Sequence, residues 1–482
     1  MAKLKNIIKQ LSVEDYQAIY ESLNESNAEK SAYLLKSMRE KHQSDAKVME
    51  ELEVNTNAYY TLRSRLNQRI EEYLLQQMDN PRADILKKVA NINEILFTKK
   101  KAIAIATLKK LEKELLDYDL SNELTIVYKS LKKLNINGND SFTYSQLYNK
   151  HVAYTLAVDK AEDLLAEYFK KYGVYAMMGR NERSDLELKL LRTETNNVTK
   201  LYESHRLFVY QSCLNIFHRL FVETDEELEM ELVPIEDILN EIQKIFQFYE
   251  LDSNYYHLQN VFEFLKLEYY NHYKVYRKAE EFYDSVNESV ATLITNYSLY
   301  TFPGQFLISK IKRHMRMKTL DRIYEENDGL FHDFESDAND IPNYLIYCCY
   351  RSLSCYYVKK YDEASKWINQ LLNTVSLKRF PYAHLEVKLL LALQYCLLDD
   401  YDLFHQLINS IQRQIRLLGK EKCEHLLVFS KILKISQSDA KKNKHEKISI
   451  LAEKLRSYEF LSFMPTLLVP ADEEFITSLA SN

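Results

Sequence analysis

The stretch YYVKKYDEASKWINQLL, residues 356–372, carries the pattern that decides the fold. Two tyrosines precede a charged turn, and Tyr361, Ala364 and Ile368 then follow at the spacing of one helix face. A small residue in the middle of such a face lets two antiparallel helices approach closely, while bulky residues fill the space beside it. The stretch therefore predicts the junction between the two helices of a structural repeat.

Related patterns occur elsewhere in the chain. They are Tyr276, Ala279 and Tyr283; Tyr401, Phe404 and Ile408; and, near the start, Phe97, Ile103 and Ala106. The spacing also fits Tyr148 to Ala161, where the sequence shows no turn, so the pattern alone is not specific. Because the other matches lie beside plausible turns, they predict several helical hairpins in succession.

The low content of helix-breaking residues points to the same fold class. The chain of 482 residues holds six glycines and seven prolines, whereas average usage is about 7% and 5%. Tight turns between strands need residues with positive φ, usually glycine, and helix interiors exclude both residue types. The sequence therefore predicts an all-α protein.

Breaks in the helical pattern divide the chain into four segments. They are an N-terminal unit (1–80), a first pair of repeat-like helices (81–140), a long antiparallel helical hairpin (141–234) and a series of degenerate repeats with a C-terminal cap (235–482). The hairpin is predicted because the helical pattern continues without a breaker from Phe142 to Tyr172 and again from Ser184 to about Glu223, and Gly173 and Gly179 between them would let the chain reverse. Average helices are only about 11–12 residues long.

The repeated pattern resembles that of tetratricopeptide-like superhelical proteins. The layout as a whole is similar to an uncharacterised bacterial family of helical-repeat proteins. The resemblance implies a right-handed superhelical array that binds protein or peptide ligands along a groove, and it implies no catalytic chemistry. The chain departs from the repeat consensus, because the usual Trp and Gly of the first helix are absent and Phe404 replaces the small residue.

The common sequence motifs of enzymes do not occur. The chain contains no phosphate-binding loop, no H-E-x-x-H, no G-x-S-x-G and no C-x-x-C. Cys348, Cys349 and Cys355 have no second Cys or His pair at zinc-site spacing, which favours small buried residues over metal ligands. In HDFESDAND (332–340), Ala338 stands where a calcium loop needs Gly. We therefore expect a non-catalytic protein without a cofactor or metal.

Charge and hydropathy suggest the compartment and the class of partner. The net charge is −6, and no apolar run of 18 residues occurs. The start of the chain lacks the apolar segment of a signal peptide. We expect a cytoplasmic scaffold or adaptor that binds a protein or peptide and does not bind membranes.

Two sets of residues are candidates for partner binding. The first is the densest tyrosine run, from which Tyr269, Tyr273 and Tyr276 are chosen because tyrosines make good contact residues for peptides. The second comes from the basic stretch KIKRHMRMKTLDR (310–322), namely Lys312, Arg313 and Arg316. The alternatives are helix–helix packing for the tyrosines and, for the bases, neutralisation by the acidic residues that follow, within the chain or across a homodimer.

The N-terminal unit supplies the alternative function. The helix predicted in NTNAYYTLRSRLNQRIEEYL could be the recognition helix of a helix-turn-helix, with Tyr60, Arg63, Arg65 and Arg69 as candidate DNA contacts. Such a protein would be a transcriptional regulator that senses a partner through its repeats. Residues 1–78 hold 11 Lys/Arg and 12 Asp/Glu, and DNA-binding domains usually show a basic surface. This balance favours a cap that covers the first repeat.

Overall fold

The described part of the chain is helical throughout. The computed structural model describes residues 4, 8, 11, 13–26, 28–39, 45–52, 54–77, 81–179, 181–223, 233–249, 253–332, 334–419, 423–437, 443–459 and 463–481. These residues form 24 α-helices and no strand, which confirms the predicted all-α class.

The chain divides into two compact units, Met1–Asn149 and Lys150–Asn482. The division falls inside one helix, Asp140–Met177, and not at a segment boundary predicted from the sequence. Composition shifts mark where helices end, but a compact unit is defined by packing, and one long helix can contribute to two units. The units are described separately below.

The first unit contains eight helices that lie wholly within it. They are α1 (Val13–Glu25), α2 (Glu29–Arg39), α3 (Asp45–Glu51), α4 (Thr56–Gln77), α5 (Pro81–Ala90), α6 (Ile92–Thr98), α7 (Lys101–Asp117) and α8 (Ser121–Leu134). Two apolar cores hold them, one formed by described residues from Leu4 to Ile70 and the other by residues from Ile85 to Tyr144. Helices α7 and α8 pack together as a hairpin.

The N-terminal match to the repeat pattern lies on the wrong side of its helix. Phe97 is 89% exposed and Ile103 is 52% exposed, and Ala106 is exposed as well. The buried residues of α7 are Ala104, Leu108, Leu111 and Leu115. The hairpin in this region turns later, at Asp119. The repeat pattern does not mark this turn, because the second helix begins with Ser121 and not with an aromatic residue.

The second unit continues with α9 (Asp140–Met177), which begins in the first unit, and fifteen further helices. They are α10 (Glu182–Thr199), α11 (His205–Phe221), α12 (Ile235–Phe248), α13 (Ser253–His272), α14 (Tyr276–Glu288), α15 (Val290–Asn296), α16 (Gly304–Met317), α17 (Arg322–Leu330), α18 (Ile341–Tyr357), α19 (Tyr361–Thr374), α20 (Pro381–Leu397), α21 (Tyr401–Leu418), α22 (Glu424–Ser436), α23 (Lys444–Arg456) and α24 (Glu473–Ser481). Their buried side chains form one continuous core.

The predicted long hairpin is present, but its second arm is broken. Helices α9 and α10 run antiparallel, since Lys160 pairs with Glu194 and Lys171 with Glu187, each at 3.0 Å. The second arm ends at Thr199, and α11 begins at His205. Ser204 has an extended backbone and its Oγ accepts from the amides of Arg206 and Leu207, so it caps a new helix. The prediction of one unbroken arm was wrong because this capping serine was not recognised.

Four hairpins share one backbone turn. A residue with positive φ comes first, Asp119 (50°), Lys274 (58°), Lys359 (62°) or Asp399 (57°). The next residue has nearly constant φ and ψ: −87° and 65° at Leu120, −86° and 60° at Val275, −88° and 65° at Lys360, and −84° and 79° at Asp400. Its amide donates to the carbonyl five residues earlier at 2.8–3.0 Å, as in a Schellman ending. The second helix then begins at once.

The repeat pattern therefore marks true helix starts in the second unit. Tyr276, Tyr361 and Tyr401 are the first residues of α14, α19 and α21. The positions three residues later, Ala279, Ala364 and Phe404, and seven residues later, Tyr283, Ile368 and Ile408, are all buried. These helices pack on α13, α18 and α20 respectively, as consecutive hairpins.

The first helices of these hairpins are covered on more than one side. Helices α18 and α20 each bury twelve residues around their circumference. At one place α9 covers α18, since a Cβ added to Gly173 would lie 2.9 Å from Pro342. At another, the 3₁₀ turn Pro465–Leu468 packs on α20. The chain's own segments thus occupy surfaces that an open repeat array would leave to a ligand.

Candidate partner-binding site

The candidate tyrosines lie at the turn between α13 and α14. Tyr273 is 49% exposed and Tyr276 is 36% exposed, while Tyr269 and Tyr270 are half-buried. The ring centroid of Tyr269 lies 5.0 Å from that of Tyr273. Burial, together with the nearby Glu236 carboxylate, raises the pKa of Tyr269 to about 12. Tyr269 therefore packs at the base of the cluster, and Tyr273 and Tyr276 form its accessible part.

Basic side chains lie against these rings. The guanidinium carbon of Arg316, on α16, is 3.8 Å from the ring centroid of Tyr276. The ammonium of Lys278 is 5.1 Å from the centroid of Tyr270. Both distances are those of cation–π contacts. We call the surface formed by Tyr270, Tyr273, Tyr276, Lys278 and Arg316 the tyrosine–arginine face.

The other bases of α16 are held inside the fold. Lys310 is 1% exposed, and its ammonium pairs with Glu326 at 2.6 Å and donates to Asn287 at 2.8 Å. The guanidinium of Arg313 donates to both carboxylate oxygens of Glu280, with an Nη2–Oε2 distance of 2.6 Å. Arg313 is thus bound by an acid on α14, and Lys310 by an acid on α17. Glu326 is one of the acidic residues that follow the basic stretch, as the neutralisation alternative expected, whereas Glu280 precedes that stretch.

Lys312 lies near the buried carboxyl group of Glu268. Glu268 on α13 is 3% exposed, its Oε2 accepts from Ser309 Oγ at 2.8 Å, and its Oε1 has no hydrogen-bond partner among the described residues. Burial raises the pKa of Glu268 to about 7, although Ser309, Lys312 and Arg316 act to lower it. Burial also lowers the pKa of Lys312 to about 8, and Glu268 opposes that change. Two groups whose pKa values lie near neutral pH, Glu268 and Lys312, are thus located beside the tyrosine–arginine face.

Several exposed basic residues surround the face. Within the described ranges, no ion pair reaches five exposed bases at the ends of these helices: Lys274, Arg277, Lys278, Arg316 and Lys318. Lys274 and Lys318 have positive φ and occupy the turns after α13 and α16. Clustered exposed charges of one sign create a local potential that attracts groups of opposite sign, most strongly at low salt.

A large groove begins beside this face. It encloses about 1290 Å³ and runs from α16 past the end of α18 to residues 463–481, which we call the C-terminal segment. Its wall includes Lys312, Lys318, Tyr356, Tyr357, Lys359, Tyr361, Asp472, Glu473 and Glu474. At the C-terminal end the ammonium of Lys359 pairs with Glu474 at 2.6 Å. One end of the groove is thus lined by an acidic segment of the chain, and the other end is lined by Lys312 and Lys318.

The candidate DNA contacts of the first unit lie on α4 and differ in exposure. Arg63 is 9% exposed, and its guanidinium carbon lies 5.8 Å from the ring centroid of Tyr59. Arg65 and Arg69 are exposed. Tyr60 belongs to the helix, but its side chain lies outside the described residues. Only two of the three arginines are therefore available to a partner.

The cysteines and the acidic loop are not assembled into a metal site in the described part of the chain. There, no group of three His, Cys, Asp or Glu residues lies close enough to hold a metal ion. Cys348, Cys349 and Cys355 are buried, and burial raises the pKa of each thiol. Of the acidic loop, Asp333 lies outside the described residues, and Asp337 accepts from the backbone and side chain of Asn339.

Sequence reasoning missed one buried polar cluster entirely. Glu386 on α20 is fully buried, and its Oε2 accepts from the amide and hydroxyl of Thr466 at 3.1 and 2.7 Å. Its Oε1 lies 2.6 Å from His425 Nε2 and accepts from the Tyr382 hydroxyl at 3.3 Å. A Glu within the apolar run LEVKLLLALQ was the available sign, because charged residues are rarely buried without partners.

Comparison with known proteins adds no assignment to these sites. The chain matches no protein-family model, no curated protein and no solved structure. Among the helices of the described residues, none combines the length and the apolar character that crossing a membrane requires.

Proposed function

We propose that the chain is a non-catalytic adaptor that binds an acidic peptide segment of a protein partner. The binding surface combines the tyrosine–arginine face with the open end of the adjoining groove. In this proposal the hairpins of the second unit form a right-handed superhelical array of the tetratricopeptide-like kind. The shared turn at Lys274, Lys359 and Asp399 supports this arrangement, because repeats with one turn geometry stack in a regular way.

The observation that carries the proposal is the contact between Arg316 and Tyr276 at the edge of open, unpaired basic residues. Tyrosine and arginine are the residue types that contribute most to binding at protein interfaces, since both bury a large planar group and keep polar contacts. Here they are already packed together and half-exposed, so little side-chain freedom remains to be lost on binding.

The charge of the surface selects an acidic partner. Lys274, Arg277, Lys278, Arg316 and Lys318 would meet carboxylates of the partner. The chain itself gives an example of this chemistry, because Lys359 in the same groove pairs with Glu474, in the first turn of α24. A peptide with several Asp or Glu residues and an aromatic residue would combine ion pairs with stacking on Tyr273 and Tyr276.

A labelled synthetic peptide tests the proposal. The probe is a ten-residue Asp/Glu-rich peptide with one phenylalanine, compared with its Asn/Gln counterpart in fluorescence anisotropy. We expect the full-length protein to bind the acidic peptide at least about tenfold more tightly than the neutral one, with an affinity that falls as salt rises. The variant Lys312→Ala/Arg316→Ala/Lys318→Ala should lose about tenfold in affinity.

A matched variant controls for the change in net charge. Arg413, Arg416 and Lys431 are exposed on α21 and α22, so their replacement by alanine removes three positive charges elsewhere. This control should bind the acidic peptide like the wild type. Equal affinity of the wild type and the α16 variant would refute the proposed site, and equal binding of the acidic and neutral peptides would refute the acidic partner. A further variant, Tyr269→Ala/Tyr273→Ala/Tyr276→Ala, tests the tyrosines in the same assay.

A further inference from the structure

Helices α3 and α4 of the first unit are joined by a turn of the length found in a helix-turn-helix. Only four residues, 52–55, separate the end of α3 from the start of α4. The turn is closed by the amide of Val54, which donates to Met49 O at 3.1 Å, and by Asn55 Oδ1, which accepts from the amide of Ala58 at 2.9 Å. DNA-binding helix-turn-helix units join their two helices by three or four residues.

One apolar core contains residues of both helices. Val48 and Leu52, from α3 and the turn, are buried together with Tyr59 and Leu66 from α4. The buried positions of α4 continue with Arg63 and Ile70, at alternating spacings of four and three residues. This face belongs to the fold, and the described residues on the opposite face of α4 are exposed.

The exposed face of α4 carries side chains of types that commonly contact DNA. It consists of Ala58, Thr61, Ser64, Arg65, Gln68 and Arg69. Arginine pairs with guanine and glutamine with adenine in the major groove, while Ser, Thr and further arginines bind phosphates. The side chains of Arg65 and Arg69 make no ion pair within the part of the chain that the structure describes.

The local charge of α4 differs from that of the whole unit. Residues 1–78 are slightly acidic, but from Thr56 to Ile70 the helix has three arginines and no acidic residue. Two basic residues of α2 bond within the fold: Arg39 donates to Ile8 O at 2.6 Å, and Lys30 donates to Leu52 O at 3.2 Å. Among the described residues, α4 thus carries two exposed arginines and α3 carries the exposed Lys47, while the acidic residues elsewhere in the unit make its total charge slightly negative.

We propose that α3 and α4 bind duplex DNA, with α4 in the major groove and Arg65 and Arg69 as contacts. This function is separate from the peptide site, because the two use different compact units. Arg63 has a positioning role for α4, since its guanidinium lies against Tyr59 inside the fold.

The test uses the full-length protein and a labelled pool of 24-base-pair duplexes of random sequence at about 50 mM salt. We expect salt-dependent binding that Arg65→Ala/Arg69→Ala weakens at least about tenfold, with the slope of log affinity against log salt reduced by about two. Circular dichroism should be unchanged, because both side chains are exposed.

Two controls make the result decisive. The variant Arg413→Ala/Arg416→Ala removes two exposed arginines from α21 and should bind the duplexes like the wild type. The triple variant of Lys312, Arg316 and Lys318 should also keep DNA binding. Absence of binding at low salt, equal binding by the α4 variant, or loss of binding in the triple variant would each overturn the proposal, and none of these outcomes bears on the peptide assay.

Discussion

Two buried glutamates of the second unit are surrounded very differently. Glu386 is 0% exposed and its carboxylate meets His425, Tyr382 and Thr466. Glu268 is 3% exposed and has one hydrogen bond, from Ser309, while its second oxygen has no hydrogen-bond partner among the described residues. A buried carboxylate is tolerated when its oxygens are saturated and costs stability when they are not.

The difference separates a structural region from a candidate functional region. The Glu386 cluster joins α20 and α22 to the C-terminal segment, so its hydrogen bonds serve the fold. The half-satisfied Glu268 lies beside Lys312 and Arg316, in the region that we propose as the peptide site. Polar groups left incompletely paired are frequently found at functional sites, where strain and shifted pKa values are part of the function.

The largest effect is expected from removing the saturated carboxylate. Glu386→Ala should lower the free energy of unfolding by about 3–5 kcal/mol, because it leaves His425 and the Thr466 amide buried without their acceptor. Chemical denaturation measures this change, with Glu453→Ala, an exposed acid on α23, as the control that should stay within about 0.5 kcal/mol. A loss below about 1 kcal/mol would show that the cluster does not hold the C-terminal segment.

Removing the charge of the other carboxylate should have the opposite sign. The pKa of Glu268 is raised to about 7 in the folded protein from a reference of 4.5. Ionisation in the fold therefore costs stability progressively as pH rises from 4.5 to 7, and the whole cost is present above pH 7. Glu268→Gln keeps an acceptor for Ser309 and should stabilise the protein at pH 7.5 by up to about 3 kcal/mol.

The pH dependence distinguishes this mechanism from a general gain in packing. The stabilisation by Glu268→Gln should shrink as the pH is lowered from 7.5 to 4.5 in parallel denaturation experiments. Glu281→Gln, at an exposed position on α14, should change stability little at either pH. A destabilisation at pH 7.5 would mean that attraction to Lys312 and Arg316 exceeds the burial cost, and the contrast between the two glutamates would fail.

A smaller effect should follow from removing one donor to Glu386. The Thr466 hydroxyl donates to Oε2 at 2.7 Å, and hydrogen bonds to charged groups contribute about 1.5–3 kcal/mol. Thr466→Val keeps the volume and should cost about 2 kcal/mol in denaturation experiments, whereas Thr466→Ser should cost less because it keeps the hydroxyl. If valine and serine are equally tolerated, the Thr466 hydroxyl does not contribute to the stability of the Glu386 cluster.

The spacing of apolar residues predicted the helices well, because this spacing reflects interactions between residues close together in the chain. Tyr361, Ala364 and Ile368 marked a true helix start and a close helix contact, since spacing along one helix decides which residues share a face. The same reasoning failed at Phe97 and Ile103, where an apolar pair at the correct spacing is exposed. The sequence shows which residues could form a face, and tertiary packing decides which face is buried.

The sites depend on contacts between residues far apart in the chain, which a single sequence does not reveal. Arg313 was a candidate contact, but Glu280 on α14 binds it. The Glu386–Thr466 contact joins α20 to the C-terminal segment and leaves no periodic pattern. The residues with positive φ in the turns were also missed, because Lys and Asp occupy them where glycine would have been the expected sign.

The smallest expected effect tests the tyrosine–arginine face itself. A double-mutant cycle of Tyr276→Ala and Arg316→Ala should give a coupling energy of about 0.5–1 kcal/mol in denaturation experiments, the value for exposed cation–π pairs. The coupling should persist at high salt better than that of an ion pair, because the ring quadrupole and dispersion contribute to it. Lys278 and Tyr270 form a matched pair at 5.1 Å, a longer distance, and should couple more weakly. If neither pair couples, the face is not preorganised, and the low entropic cost that we assign to peptide binding there would have no basis.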